Sequence, residues 1–523
     1  MLYYSQEKSL DLKIGENYMN EKIACLVMET YSVKMVICNA SQGNFFVTCD
    51  QEFGEINLGL EEGSDYFLKK PQIDVTLSVL KNFRKICDMH GVNRTFAIAS
   101  FAEDAKPKNI YSFFDEVYAT CGFKFAILSD EEQQSYVFSG ISNGYDIHKA
   151  VVFHVNSESV NIVSYNRRNV LNQATLHFGP TTLANMFANQ DFDTMRAKIE
   201  KYIKTQLDDV EWLNEIPEEM ELACSGRIFT DITKMVRKFK KYPLKKDDGY
   251  ELFFQDSDAI LKQLSELSLD KAKKIKGIEE PRADVYVAGL ILANCIAEKV
   301  NRMKCTIVAN ALQSGLLYKE IIPATLEKPL SDVLGYSLLA QNNFFDLENA
   351  KHNEQVYNLS ILLFKQLRVL HKLSRNYVKV LRIASFMHDA GKRINYENHA
   401  ELAYTVITGS EIKGASHRDI ILAGFAAALH TGGDLQSTEW IKYKDMLVDE
   451  DIDAVRKLGV MLRLAEAFDR TRKNVIVDIN CDILGDSVIM KTVAEGDNSF
   501  EIQKALECSK DFEKYFHKKL EIL

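Results

Sequence analysis

The chain has 523 residues, 46% of them hydrophobic and 26% charged, which is the balance of an ordinary folded polypeptide and excludes a disordered or fibrous one. At roughly 100 to 200 residues per domain it is too long for one core. A net charge of −10, from 64 basic and 74 acidic side chains, supplies no global field for nucleic acid or anionic lipid. None of the ten cysteines forms a Cys-x-x-Cys pair, so they read as reduced, mostly buried thiols.

In chain order, residues 1–20 read as an extension whose acidic and amide residues do not make a secretory signal. No later run reaches the ~20 apolar residues of a membrane span, and the protein is expected in the cytoplasm, with neither nucleic acid nor membrane as partner. From Lys22 to Asn39 two apolar strands flank a polar interruption at Glu29–Ser32, which predicts a hairpin. Short strands near Phe96–Ala99 and Lys124–Leu128 then alternate with helices, as in an α/β unit. Around Ala150 the theme restarts with AVVFHVN and VNIVSYN, and Asn169–His177 adds a third strand. The restart predicts two α/β lobes of similar plan, over 21–145 and 146–320, with a cleft between them. Pro243–Gly249 reads as a solvated surface loop of the second lobe.

Residues 321–337 read as a linker, and from 338 to 523 helical periodicity takes over. This region closes with two strands about a Gly-Asp turn, in VIVDINCDILGDSVIMKTV, and an amphipathic tail. Six of the eleven histidines fall between 352 and 430. The apolar stripe Val356, Leu359, Leu363 and Leu367 runs back at steps of three and four onto His352. A second stripe, Val380, Ala384 and Met387, leads into His388 and Asp389, and a third, Leu458, Leu462 and Ala465, into Asp469. A carboxylate on a buried stripe needs a cation, a salt-bridge partner such as Arg463 or Arg470, or several donors. With two imidazoles and a contiguous His-Asp pair in the set, a divalent-metal site is expected, with His352, His388, Asp389 and Asp469 as ligands and manganese, iron, zinc or magnesium as the ion.

His399 and His430 are expected to complete a second metal position or to bind substrate, with Gly432 and Gly433 ending the helix that carries His430. Asp389 and Lys392 are the expected catalytic residues, Lys392 reaching a phosphate oxygen as a point charge. The chemistry that suits such a site is metal-assisted hydrolysis of a phosphate ester or anhydride.

The stretches GIEEPRADVYVAGLILANCI (277–296), HDAGKRINYENHAELAYTVI (388–407), LGVMLRLAEAFDRTR (458–472) and the closing FEKYFHKKLEI resemble the exopolyphosphatase and guanosine pentaphosphate phosphohydrolase family. The resemblance implies actin- or sugar-kinase-like folds for the two α/β lobes, an HD-type helical domain behind them, and a homodimer. Its phosphate-binding motifs are altered here. VMETYS stands where the family has Asp-x-Gly-Ser-Asn-Ser, and HVNSES, from His154 to Ser159, stands for Asp-x-Gly-Gly-Gly-Ser. Glu103 and Gln313 occupy positions where arginines are usual, and only ACSGR keeps part of a third glycine turn. Side chains at Asn156, Ser157 and Glu158 are expected to close the phosphate nest. LSDEEQQS places Glu132, or its neighbour Glu131, at the family's catalytic glutamate.

The leading expectation is a phosphohydrolase that acts through the helical domain on a nucleotide or other small phosphorylated compound, with the lobes as scaffold or sensor. One alternative is hydrolysis of polyphosphate or guanosine pentaphosphate in the cleft with Glu132 as base. Another is a regulator that binds ligands without turnover.

Overall fold

The computed structural model describes residues 21–40, 46–59, 66–101, 106–167, 169–265, 283–322, 330–345, 350–435 and 437–523. The expected extension 1–20, Glu103 and the first part of the 277–296 motif lie outside them.

Strand β1 (Glu21–Glu29) pairs antiparallel with β2 (Ser32–Ala40) in the predicted hairpin, and β2 pairs with β3 (Phe46–Glu55). On its other edge β1 runs parallel to β4 (Arg94–Ala99), followed by β5 (Phe125–Ile127), so the sheet order is β3-β2-β1-β4-β5. The reading of the sequence lacked β3, whose FVTCDQEFGE mixes polar and charged residues because the strand lies at the sheet edge and is mostly exposed.

The second sheet repeats the plan. Strands β6 (Lys149–Val155), β7 (Val160–Asn166), β8 (Asn169–Leu176), β9 (Glu221–Ser225), β10 (Glu251–Phe253) and β11 (Lys304–Val308) take the order β10-β11-β9-β6-β7-β8. Without β10, its order β8-β7-β6-β9-β11 mirrors the first sheet strand for strand.

The near-continuous apolar runs of β1 and β6 follow from this arrangement, because central strands covered on both faces have no solvent side. Ala24, Leu26 and Met28 of β1 enter one core, while Ile23, Cys25 and Val27 enter another that also receives Ala150 and Val152 of β6. This shared core is covered by the helices Asp130–Gly144 and Ala311–Ile321. They touch backbone to backbone: a Cβ on Gly315 would lie 1.8 Å from the Tyr136 carbonyl oxygen, and one on Gly140 2.0 Å from that of Ala311. Glycine is required at both positions.

The helical region starts at Val333, a few residues before the expected 338. Helices Ala350–Gln366, Tyr377–Met387, His417–Ala428 and Asp449–Phe468 contribute to a separate core through Val356, Leu359, Leu363, Val380, Ala384, Leu458, Leu462 and Ala465. Strands β12 (Ile476–Ile483) and β13 (Ser487–Ala494) form the expected closing pair. The amphipathic tail is helical over Ser499–Leu506 and Ser509–Phe516. His517 turns the chain in the left-handed conformation, and Lys519–Ile522 adds β14 parallel to β13.

Pro243–Gly249 is not the solvated loop that its charges suggest. Lys246 donates to the Ser410 carbonyl, and the Asp248 carboxylate receives the Tyr145 hydroxyl, Lys413 and, at 2.9 Å, the Ala309 amide. His417 donates from Nε2 to the Asp248 carbonyl at 2.9 Å and accepts at Nδ1 from the Tyr242 hydroxyl, also at 2.9 Å. The excursion is the polar joint between the second lobe and the helical region. Among the described residues no helix is long and apolar enough to cross a membrane.

Candidate metal centre

All three apolar stripes deliver their polar ends to the inside. His352 is 4% exposed, His388 0%, and Asp389 and Asp469 1% each. His352 sits near the start of Ala350–Gln366, and His388 caps Tyr377–Met387. Asp389 opens the short 3-10 turn Ala390–Arg393, and Asp469 caps Asp449–Phe468. The turn packs tightly, since a Cβ on Gly391 would meet the His399 carbonyl oxygen at 2.1 Å.

Each of His352, His388 and Asp389 offers a ligand atom within 4.8 Å of the others'. A second group with the same spacing, Asp389, His399 and His430, shares the carboxylate. The outer nitrogen of every ring is committed to an acceptor. Nδ1 donates to Asp469 Oδ2 at 2.7 Å in His352, to the Ser385 carbonyl at 2.8 Å in His388, to Tyr396 at 2.7 Å in His399 and to Ala427 at 2.5 Å in His430. These acceptors fix the tautomer, so in the neutral rings Nε2 carries a lone pair directed inward. His399 Nε2 and His430 Nε2 stand 3.1 Å apart, each 3.9 Å from Asp389 Oδ1. Nε2 of His352, Nε2 of His388 and Oδ1 of Asp389 are buried without a hydrogen-bond partner. Buried acceptors facing one another without a donor are costly unless a cation joins them, and mixed nitrogen and oxygen donors suit a divalent transition metal.

Electrostatics keeps the set ready for a cation. Burial pushes the His388 imidazole below its usual range and His430 down to about 3, so both rings are neutral at pH 7. Burial disfavours the Asp389 carboxylate as well, but attraction to His388 and His430 in their protonated forms and to Lys392, which also donates to it, outweighs burial and holds the group below its ordinary range. With the two rings neutral, Lys392 is the lasting counter-charge, its Nζ 2.5 Å from Asp389 Oδ2.

Asp469 lies outside both groups of converging ligand atoms. Its Oδ2 accepts from His352 and its Oδ1 from the Asn474 amide at 2.9 Å, so it stands behind His352 and orients it. Nor do the two arginines considered as its partners serve it: Arg463 pairs with Asp511 and Arg470 with Glu466. Lys392 meets Asp389 itself. Arg472, which the sequence did not single out, also reaches Asp389, with Nη2 3.4 Å from Oδ2; as one charge in the polar turn TRKN it gave no periodic signal.

The cleft between the lobes is narrow where the family's phosphate motifs would lie. Glu158 accepts from Thr30 Oγ1 at 2.9 Å and from the Tyr31 hydroxyl at 3.4 Å, fastening the β1–β2 turn to the β6–β7 turn. Gln313 donates to the Cys25 carbonyl at 3.0 Å. Beside them a small cavity of about 20 Å³ is bordered by Val27, Glu29, His154, Ser225, Gly226 and Gln313, and Gln313 also borders a wider cavity of about 960 Å³ lined by Lys34, Arg227, Asp231, Lys234 and Asn310 among others. Gly226, the surviving glycine, has φ of 108°, and a Cβ there would lie 2.0 Å from the Val155 carbonyl oxygen. Glu132 is exposed at the start of Asp130–Gly144 and accepts the Ser129 amide at 2.8 Å, while its own amide donates to Ser129 Oγ at 3.2 Å. This is a capping box. Glu131 is exposed beside it.

The Ppx/GppA phosphatase family matches residues 41–322, and domain III of Ppx/GppA phosphatase matches residues 339–508. The chain belongs to the Ppx/GppA phosphatase family. Similar proteins include a bifunctional 3-dehydroquinate synthase/phosphatase of Fusobacterium nucleatum, 22% identical over 54% of this chain and 44% of that protein. A guanosine-5'-triphosphate,3'-diphosphate pyrophosphatase of Aeromonas hydrophila is 22% identical over 58% of this chain and 60% of that protein. The chain thus spans between 44% and 60% of these two curated relatives. An exopolyphosphatase structure from Cytophaga hutchinsonii aligns with a TM-score of 0.53 and 20% identity, over 58% of this chain and 98% of that one. The Aquifex aeolicus member of the family aligns at 0.51 and 19%, over 59% and 99%. These likenesses assign the actin-like Ppx/GppA fold to the amino-terminal part.

Proposed function

We propose that this Ppx/GppA chain is a divalent-metal-dependent phosphohydrolase whose reaction takes place in an HD-type helical domain, on a nucleotide or other small phosphorylated compound. The lobes over 21–145 and 146–320 then serve as scaffold, dimer surface or ligand sensor, joined through 321–337 to the helical domain at 338–523. A cytoplasmic homodimer is part of the same reading.

One observation carries the proposal: Nε2 of His352, Nε2 of His388 and Oδ1 of Asp389 converge while buried and without partners. In this reading His352, His388 and Asp389 hold one ion, and Asp389 with His399 and His430 holds a second. Asp469 keeps His352 in the tautomer that presents Nε2. Lys392, which meets Asp389 Oδ2, would offer its charge to the substrate phosphate. A bound divalent ion supplies Lewis acidity, acidifying water and offsetting charge on the phosphate oxygens.

The family supplies a second reading. Relatives named exopolyphosphatase and guanosine-5'-triphosphate,3'-diphosphate pyrophosphatase favour turnover of polyphosphate or a guanosine polyphosphate in the cleft, with Glu132 as base. The Glu158 staple and the capping role of Glu132 weigh against it. Metal analysis of the purified chain, then a phosphate-release screen over both substrate classes with Asp389→Ala and Glu132→Ala, separates the readings. Loss only in Asp389→Ala supports the helical site, and loss only in Glu132→Ala supports the cleft. A parent chain without metal or activity sinks both and leaves a ligand-binding regulator.

A further inference from the structure

The turn after Asp449–Phe468 is held in place more firmly than a surface loop requires. Arg472 and Asn474 both adopt left-handed backbone conformations, with φ of 58° and 53°. A non-glycine residue there is strained, and persists where its surroundings impose it. Four hydrogen bonds impose it here. Glu501, 1% exposed on the helix Ser499–Leu506, accepts the Thr471 hydroxyl at 2.5 Å and the Thr471 amide at 3.3 Å. The Asp469 carbonyl accepts the Arg472 amide at 2.9 Å, and Asp469 Oδ1 accepts that of Asn474. The side chain thereby delivered is Arg472, whose guanidinium lies 3.4 Å from the oxygen of Asp389 turned away from the converging histidines, with 42% of the side chain exposed.

Resting on the reading of this centre as a metal-bound phosphate site, we propose that Arg472 is a phosphate-contacting residue of that site, and that Glu501 is a positioning residue which presets it through Thr471. Arg472 and Lys392 share Asp389 Oδ2. A divalent cation taking up the Asp389 charge weakens that hold. The guanidinium, 42% of whose side chain is exposed, then meets a phosphate oxygen. Arginine's planar fork suits phosphate geometry in a way that the single ammonium of Lys392 does not.

The two ligands respond to Arg472 with opposite signs, and this distinguishes the assignment from a merely structural role. Inorganic phosphate titrated calorimetrically into the Mn²⁺-loaded full chain is expected to bind about tenfold or more weakly in Arg472→Ala. Mn²⁺ binding to the same variant is retained or tightened, because a cation beside Asp389 has gone. Arg472→Lys recovers part of the phosphate affinity. Glu501→Gln, or Thr471→Val should the buried substitution fail to fold, weakens phosphate binding several-fold without weakening Mn²⁺ binding. Phosphate affinity within twofold of the parent in Arg472→Ala, with Mn²⁺ still bound, overturns the assignment of Arg472 alone. Phosphate affinity unchanged in both Glu501→Gln and Thr471→Val removes the positioning role. A parent chain that binds no Mn²⁺ overturns the metal reading and this inference with it.

Discussion

Asp389 turns its two oxygens to different tasks: Oδ2 meets Lys392 and Arg472, while Oδ1 faces the histidines. A carboxylate shared between the two candidate groups couples them, so Asp389→Ala is expected to abolish metal retention at both positions, measured as metal per chain after dialysis. Asp469→Asn keeps the shape but removes the charge behind His352. It is expected to lower Mn²⁺ affinity by about 10- to 100-fold, the usual cost of losing a carboxylate that orients a histidine ligand, read by calorimetry. An effect on Mn²⁺ as complete as that of Asp389→Ala would instead place Asp469 in direct contact with the ion.

At the scale of elements, the start of Asp130–Gly144 separates a structural glutamate from a catalytic one. Ser129→Ala removes the hydroxyl that caps this helix and should cost about 1 kcal/mol in chemical denaturation. Glu132→Ala should cost less and leave phosphate release unchanged, and its loss of activity would revive the cleft as the reaction site. The crossing of Asp130–Gly144 with Ala311–Ile321 tolerates no side chain at Gly315. Gly315→Ala forces a methyl group onto the Tyr136 carbonyl, and a destabilisation of about 1 to 3 kcal/mol is expected from overpacking, measured as a lowered denaturant midpoint.

Across the whole molecule, the joint built from Lys246, Asp248, Lys413 and His417 ties the second lobe to the helical region. Burial pushes the Lys246 ammonium down from 10.5 to about 8, against the attraction of Glu411. Between those values the unfolded chain holds a proton that the folded chain has shed, so this residue's contribution to stability rises with pH across the window. Below about pH 8 the full penalty of burying the charge is present. Lys246→Met should therefore raise the melting temperature at pH 7, with an advantage that shrinks as the pH approaches 10. An advantage that grows with pH would contradict this account.

The same joint marks the boundary of what could be read from the chain alone. The hairpin of β1 and β2, its recurrence in β6 and β7, and the inward histidines and aspartates were legible because each depends on local periodicity: an apolar run, or steps of three and four along one helix face. By itself the sequence also determined that His388 and Asp389 lie together at a core edge. Local periodicity carries no information on partners distant in the chain, and there the tertiary structure decided. It set Asp469 against Nδ1 of His352, 117 residues away in sequence. It turned the charged stretch at 243–249 into a joint by setting residues 410–417 against it, and added β14 by bringing the last residues alongside β13. It brought Arg472 to 3.4 Å from the carboxylate shared by the two histidine groups.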